Sequence, residues 1–359
     1  MIALLFIAAT VLTQPVRLEN HFSPRVDRTD SGDTIRFELQ IVNDGSQPVR
    51  LQSLRVQDTA NEAPLLMLSG DGLKAAMAQT PPGCDRERAT VAPHAHCVVY
   101  IDGALKADNH PGSLKNTLEF TADGQAAYVD LKLPLASTPV PVIGPPLGDG
   151  IWVAVHSPEW PRGHRRMFYK AGDREVVPGR FAIDFVKVSP SGGTSNGDPD
   201  KPADTIGYGD PVLAVVTGRI AAVRDGVAES SSIRKNGARE RSLAAGNYVV
   251  LALDSGLYAT YEHLRPGSIR VREGDQVRQG DVIAALGFTG DSTGPHLHFH
   301  VSNTMDPLGG EGLPYAFDRF TLMGNYPDIA QLGARRWDER PATEIRGKRP
   351  GVNSVLSFK

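Results

Sequence analysis

Residues 294–302 read GPHLHFHVS. In an extended chain alternate side chains share a face. His296, His298 and His300 therefore stand on one side, and Leu297, Phe299 and Val301 on the other. The apolar side demands a core. A merely solvated polar side would be served as well by Lys, Thr or Glu, yet three of the ten histidines fall within five residues. Neutral imidazole is a common zinc ligand, and i,i+2 spacing lets two such rings reach one site.

A second segment supplies a partner of opposite character. In GRFAIDFVKV (179–188), Phe181, Ile183 and Phe185 take one face, and Asp184 shares the other with Ala182, Val186 and Val188. A carboxylate among apolar neighbours is costly to bury unless a cation or hydrogen-bond donors satisfy it. A salt bridge to a nearby Arg would do so. Beside a histidine-lined strand, a metal is the stronger reading. Two further histidines stand close by in sequence: His164 in RGHRRM and His263 in TYEHLRPG.

The rest of the chain indicates a mostly β protein. Gly 37 and Pro 27 among 359 residues fit a turn-rich, strand-rich architecture. From about residue 16 to 136, alternating runs such as TIRFELQIVN, VRLQSLRVQD and AAYVDLKLPL are separated by turn signals such as NDGSQP, predicting an Ig-like β-sandwich over 15–136. His21 and His110 are isolated there. Five prolines in PLASTPVPVIGPPLGDG mark an extended linker over 137–150. A second domain is expected over 151–330, with strands including NYVVLALD, GLYATYEHL and HLHFHV. Two polar loops, 189–207 and 225–246, are long enough to be functional, for example by covering a groove. Residues 331–359 are polar, with six Arg/Lys and three Asp/Glu between Arg335 and Arg349, and read as a solvated tail.

Composition sets limits on partners. Lys+Arg 38 against Asp+Glu 41 leaves a formal net charge of -3, with no global basic field to hold a nucleic acid. Residues 2–13, IALLFIAATVLT, match the length of a signal-peptide core and fall short of the roughly 18 residues of a membrane span. Export to the periplasm, cell envelope or medium is the expectation, with residues 1–14 as the signal segment and no transmembrane segment elsewhere. The run lacks a preceding Lys or Arg and a clean A-x-A site, so a buried first strand is the alternative. For an exported chain, a Cys84–Cys97 disulfide closing CDRERATVAPHAHC is the natural reading, worth on the order of 3 kcal/mol. A metal site with His94 and His96, and free thiols, remain alternatives.

These phrases together resemble the lysostaphin-like (LytM-like) zinc endopeptidases, which cleave peptide cross-links in bacterial peptidoglycan. The resemblance covers roughly residues 150–305. It is carried by HRR…RFAIDF, GYGDPVLAVVTGRIAAVRDG, GNYVVLALDSGLYATYEHL and VREGDQVRQGDVIAALGFTGDSTGPHLHFHV. It implies a small antiparallel β-sheet domain with an open groove and one Zn2+ per chain. His164, Asp184 and His298 would be the ligands, and His263 and His296 the catalytic histidines. The family pattern puts its first His four residues before the Asp, whereas His164 precedes Asp184 by twenty. An inserted hairpin over 167–177 would absorb the difference, and His156 is the reserve candidate. His300 stands where relatives often carry Glu; it either backs the ligands or faces solvent beyond the site, and the latter is the expectation. VREGDQVRQGDVI also resembles the hairpins of lipoyl carriers, but it lacks the Lys they need and reads as scaffold.

The ligand set implies the chemistry. Two neutral His and one Asp leave a position open for water, whose pKa falls towards ~7. His263 and His296 could orient that water, move a proton or stabilise the oxyanion, provided at least one stays neutral. Activity is then expected to fall below about pH 6. Two other readings compete: a non-catalytic or latent cell-wall-binding or activator module, and a zinc peptidase acting on a protein.

Overall fold

The computed structural model describes residues 15–78, 82–106, 110–254 and 256–358. The apolar start expected to be a signal segment lies outside the described residues. The chain divides into two compact units. The first comprises the described residues up to Arg25 together with Ile35–Ala136, and the second Val26–Thr34 with Ser137–Lys359.

The first unit is built from the alternating runs. Val49–Asp58, Pro64–Ser69, Cys84–Asp85, Thr90–Val91, Ser113–Ala122 and Gln125–Pro134 form one antiparallel sheet. Val16–Glu19, Gly32–Asn43 and Ala95–Ala104 lie together in another. Their inward residues, among them Phe37, Leu39, Ile41, Leu54, Leu118 and Phe120, make one apolar core. Cys84 and Cys97 are joined by a disulfide, which removes both thiolates as metal ligands.

The second unit is organised by one large sheet. Its main strands are β1 (Ile151–Val155), β2 (Ile183–Val188), β3 (Gly218–Arg224), β4 (Asn247–Ala252), β5 (Tyr258–Leu264), β6 (Leu297–Ser302), β7 (Ala316–Asn325), β8 (Asp338–Lys348) and β9 (Ser354–Ser357). They run in the order β7–β9–β1–β2–β6–β5–β4–β3, with β8 on the other side of β7. All these pairings are antiparallel. The histidine strand β6 is therefore central, flanked by β2 and β5. Leu297, Phe299 and Val301 are buried with Ile183, Phe185 and Tyr261 in the main core.

Residues 331–359 are not a solvated tail. β8 is an outer strand whose side chains are largely exposed, so a polar sequence is what it requires. β9 inserts SVLS, fully buried, between β7 and β1. Arg349 lies wholly buried and clamps Asp27 from the distant segment Val26–Thr34: Nε donates to Oδ1 at 3.0 Å and Nη2 to Oδ2 at 2.6 Å. Asp30 accepts from the Gly351 amide and from Ser354 Oγ. The second unit thus extends beyond the expected 151–330 in both directions.

Candidate metal centre

The sheet register assembles the site. Asp184 on β2 sits directly across from His298 on β6, and Glu262 on β5 is across from His298 on its other side. Three side chains from three neighbouring strands thus meet on one face. His298 Nδ1 lies 2.8 Å from Asp184 Oδ1. His296, one residue before β6, brings Nε2 to 3.3 Å from the same oxygen.

His164 arrives from outside the sheet. It opens a short 3-10 turn, His164–Arg166, and its Nε2 stands 3.2 Å from Asp184 Oδ2. The twenty-residue gap to Asp184 is taken up by a hairpin, Tyr169–Ala171 against Arg174–Val176, and by a second 3-10 turn, Pro178–Phe181. Gly179 in that turn is packed so closely that an added Cβ would lie 2.8 Å from His164 Cβ. The turn is anchored by Arg180, whose Nη2 donates to Glu311 Oε2 at 2.8 Å. His156 is elsewhere: its Nε2 lies 3.1 Å from the Pro350 carbonyl.

His263 reaches the face through an irregularity. The register of β4 against β5 slips between Asn247/Leu264 and Val249/Tyr261, so one extra residue bulges from β5. His263 itself has φ 62°, in the left-handed region that side chains bearing a Cβ rarely adopt. Consecutive strand residues normally point to opposite faces; a bulge re-aims one of them. Glu262 and His263 accordingly line the same cavity, with His164, Tyr169, His298 and His300. His263 Nδ1 is 2.8 Å from the Thr289 carbonyl. That contact makes Nδ1 the protonated nitrogen and leaves Nε2 as the free base.

The electrostatics follow from burial and from one carboxylate shared by three rings. Burial alone would raise Asp184, but His164 and His296 more than offset it and hold the carboxyl well below its usual range. Burial, reinforced by His296 and His298, keeps His263 well below the ordinary histidine value, hence neutral. Burial pulls His296 down, but the Asp184 carboxylate outweighs it and raises that ring. His298 is lowered, chiefly by burial.

His164, Asp184 and His298 offer ligand atoms within 4.8 Å of one another. Two imidazoles and a carboxylate of lowered proton affinity, facing an open cavity, are the donor set a zinc-class ion takes, so the residues fit a metal. His296 and His263 flank this set, their rings 4.9 Å apart. His300 does not face solvent. It is 1% exposed, with Nδ1 3.7 Å from Glu262 Oε1. The buried Glu262 went unrecognised in the sequence, where strand alternation sends it away from His263.

The groove on this antiparallel sheet thus carries the donors of a divalent-metal site. Residues 205–309 match the model of peptidase family M23. The match includes His263, His296 and His298 but ends short of His164 and Asp184. The chain is 34% identical over 125 residues to peptidoglycan DD-endopeptidase ShyC of Vibrio cholerae, covering 33% of this chain and 25% of that protein. It is 47% identical over 57 residues to ShyB of the same organism, a peptidoglycan DD-endopeptidase, covering 16% and 13%. An aligned stretch thus spans at most a quarter of either relative. Among solved structures, the catalytic domain of the prophage-encoded M23 protein EnpA of Enterococcus faecalis is 19% identical, covering 49% of this chain and 93% of that one. Its TM-score of 0.27 is too low to carry any argument.

Proposed function

We propose that the chain is a zinc-dependent endopeptidase that hydrolyses peptide cross-links of peptidoglycan outside the cytoplasm. The observation that carries this reading is the convergence of His164, Asp184 and His298 beside two further histidines in one groove. The names of ShyC and ShyB support the substrate. The Cys84–Cys97 disulfide supports an oxidising compartment.

In this reading His164, Asp184 and His298 hold one zinc. Bound there, zinc supplies a Lewis acid that polarises the scissile carbonyl and acidifies water. His263 is the base: its Nδ1 is committed to Thr289, its ring stays neutral, and Nε2 can accept a proton from the attacking water. His296 Nδ1 lies 2.7 Å from the Gly294 carbonyl, so its proton sits there, and the Asp184 carboxylate 3.3 Å from Nε2 raises the proton affinity of the ring. It can orient the substrate carbonyl and stabilise the developing oxyanion.

Purified sacculi are digested with wild-type protein, His298→Ala and chelator-treated wild type, and the released fragments weighed by mass spectrometry. Cross-linked fragments should disappear with metal-loaded wild type alone, at least 10³-fold faster than with His298→Ala. Equal fragment patterns in all three samples would sink the proposal.

A further inference from the structure

Beside the ligand set lies a second group of buried donors with no evident task. Glu262 and His300 are 4% and 1% exposed. Glu262 Oε1 has no hydrogen-bond partner, and neither does Thr260 Oγ1 on the same face of β5. Beyond a loose approach to the Pro307 carbonyl, both ring nitrogens of His300 are unpartnered as well. A buried polar atom left without a partner is costly, so such atoms are few in a native fold. Here four of them stand together on two adjacent strands.

The register explains why they are neighbours. Thr260 pairs with His300 and Glu262 with His298 across β5 and β6. All four therefore share the face that carries Asp184. Glu262 Oε1 and His300 Nδ1 are 3.7 Å apart. Two donors on one tetrahedral zinc are separated by roughly 3.3 Å, so a small rotation of either side chain suffices. Glu262, His298 and His300 offer ligand atoms within 4.8 Å of one another. A cation bound between Glu262 Oε1 and His300 Nδ1 would satisfy those two of the four orphaned atoms at once, and both residues open onto the cavity through which it could enter.

We propose that Glu262 and His300 form a second divalent-cation site, next to the His164–Asp184–His298 centre and sharing its groove. Imidazole and carboxylate donors favour zinc and its neighbours over calcium or magnesium. A neutral imidazole gives one lone pair, so His298 serves the first cation and stands as the wall between the two. Water completes the second shell. With two protein ligands against three, and a like charge alongside, the second cation binds more weakly than the first.

The metal-stripped full chain is titrated with Zn2+ by calorimetry, and bound zinc is counted after gel filtration at saturation. Wild type should take two zinc ions in two affinity classes at least tenfold apart. Glu262→Gln and His300→Gln should each take one, keeping the tight class. His164→Ala should lose the tight class and keep the weak one. Zinc-edge anomalous diffraction on wild-type crystals should show one peak between Glu262 and His300 and another at Asp184, which protects the test against variants that fail to fold. A single zinc in wild type, or a second that survives both substitutions, overturns the proposal. The count does not depend on hydrolysis: sacculi left uncut would sink the peptidase reading while two bound zinc ions stood.

Discussion

Two clusters of buried charge in the second unit are built on opposite plans. At one, Arg349 grips both oxygens of Asp27, and only Nη1 of the guanidinium is left over. Charge meets charge, and the cluster is closed. At the other, three imidazoles crowd one carboxylate, while Glu262 and His300 beside them have no good partners. That cluster faces a cavity and is unfinished without something from outside. Unsatisfied valence is expensive, so a fold that tolerates it in one place and removes it in another distinguishes holding itself together from holding something else.

This contrast can be tested most severely at the closed cluster. Arg349→Met strips the buried Asp27 carboxylate of its guanidinium and should cost about 3–5 kcal/mol, read as a lowered urea midpoint. The double variant Asp27→Leu/Arg349→Met should recover much of that loss. If Arg349→Met unfolds like wild type, the pair is not structural and the contrast fails.

The open cluster should respond to pH instead. In the metal-free protein, burial, with Asp184 and Asp306 adding, pushes Glu262 up to about 8. Between its unfolded value near 4.5 and 8, the native state keeps a proton that the unfolded state has released. Native protein binds more protons there, so stability falls as pH rises, by roughly 1 kcal/mol per pH unit. Glu262→Gln removes the titrating group. Its melting temperature, compared with metal-free wild type, should gain steadily from pH 5 to pH 8. A constant gap would show that Glu262 is not desolvated in the way described.

The smallest expected effect sharpens the edge of the site. Gly179→Ala places a methyl 2.8 Å from His164 Cβ. It should displace the His164 turn and weaken zinc binding about tenfold, leaving metal-free stability within about 1 kcal/mol of wild type. Unchanged affinity would mean that His164 is not held by this contact.

Much of the fold was legible because period-two alternation survives wherever one face is buried. VRLQSLRVQD coincides with the strand Val49–Asp58, and HLHFHV lies one residue ahead of β6 at each end. The histidines and Asp184 could be grouped from side-chain chemistry and resemblance. What could not be read depended on neighbours far away in sequence. Glu262 looked misdirected because alternation from His263 assumes a regular strand, and the bulge that turns His263 onto the face of Glu262 is a property of the β4–β5 register. His300 looked solvent-facing because nothing local says that β5 lies against β6. Residues 338–348 looked like a tail because an outer strand and a solvated segment share the same polar composition.

The clamp between Asp27 and Arg349 has a consequence for modularity. The unit that carries the metal centre is not a cassette. A gene fusion or natural recombination event joined at the proline-rich stretch would carry away Ser137 onward and leave Val26–Thr34 behind. The transplanted piece would arrive with Arg349 facing an absent carboxylate and with Asp30 missing from the Gly351–Ser354 turn. Proteolysis at the same stretch would nick the chain without liberating a complete second unit. The prolines divide the sequence in two, but inheritance and scission must treat the protein as one piece.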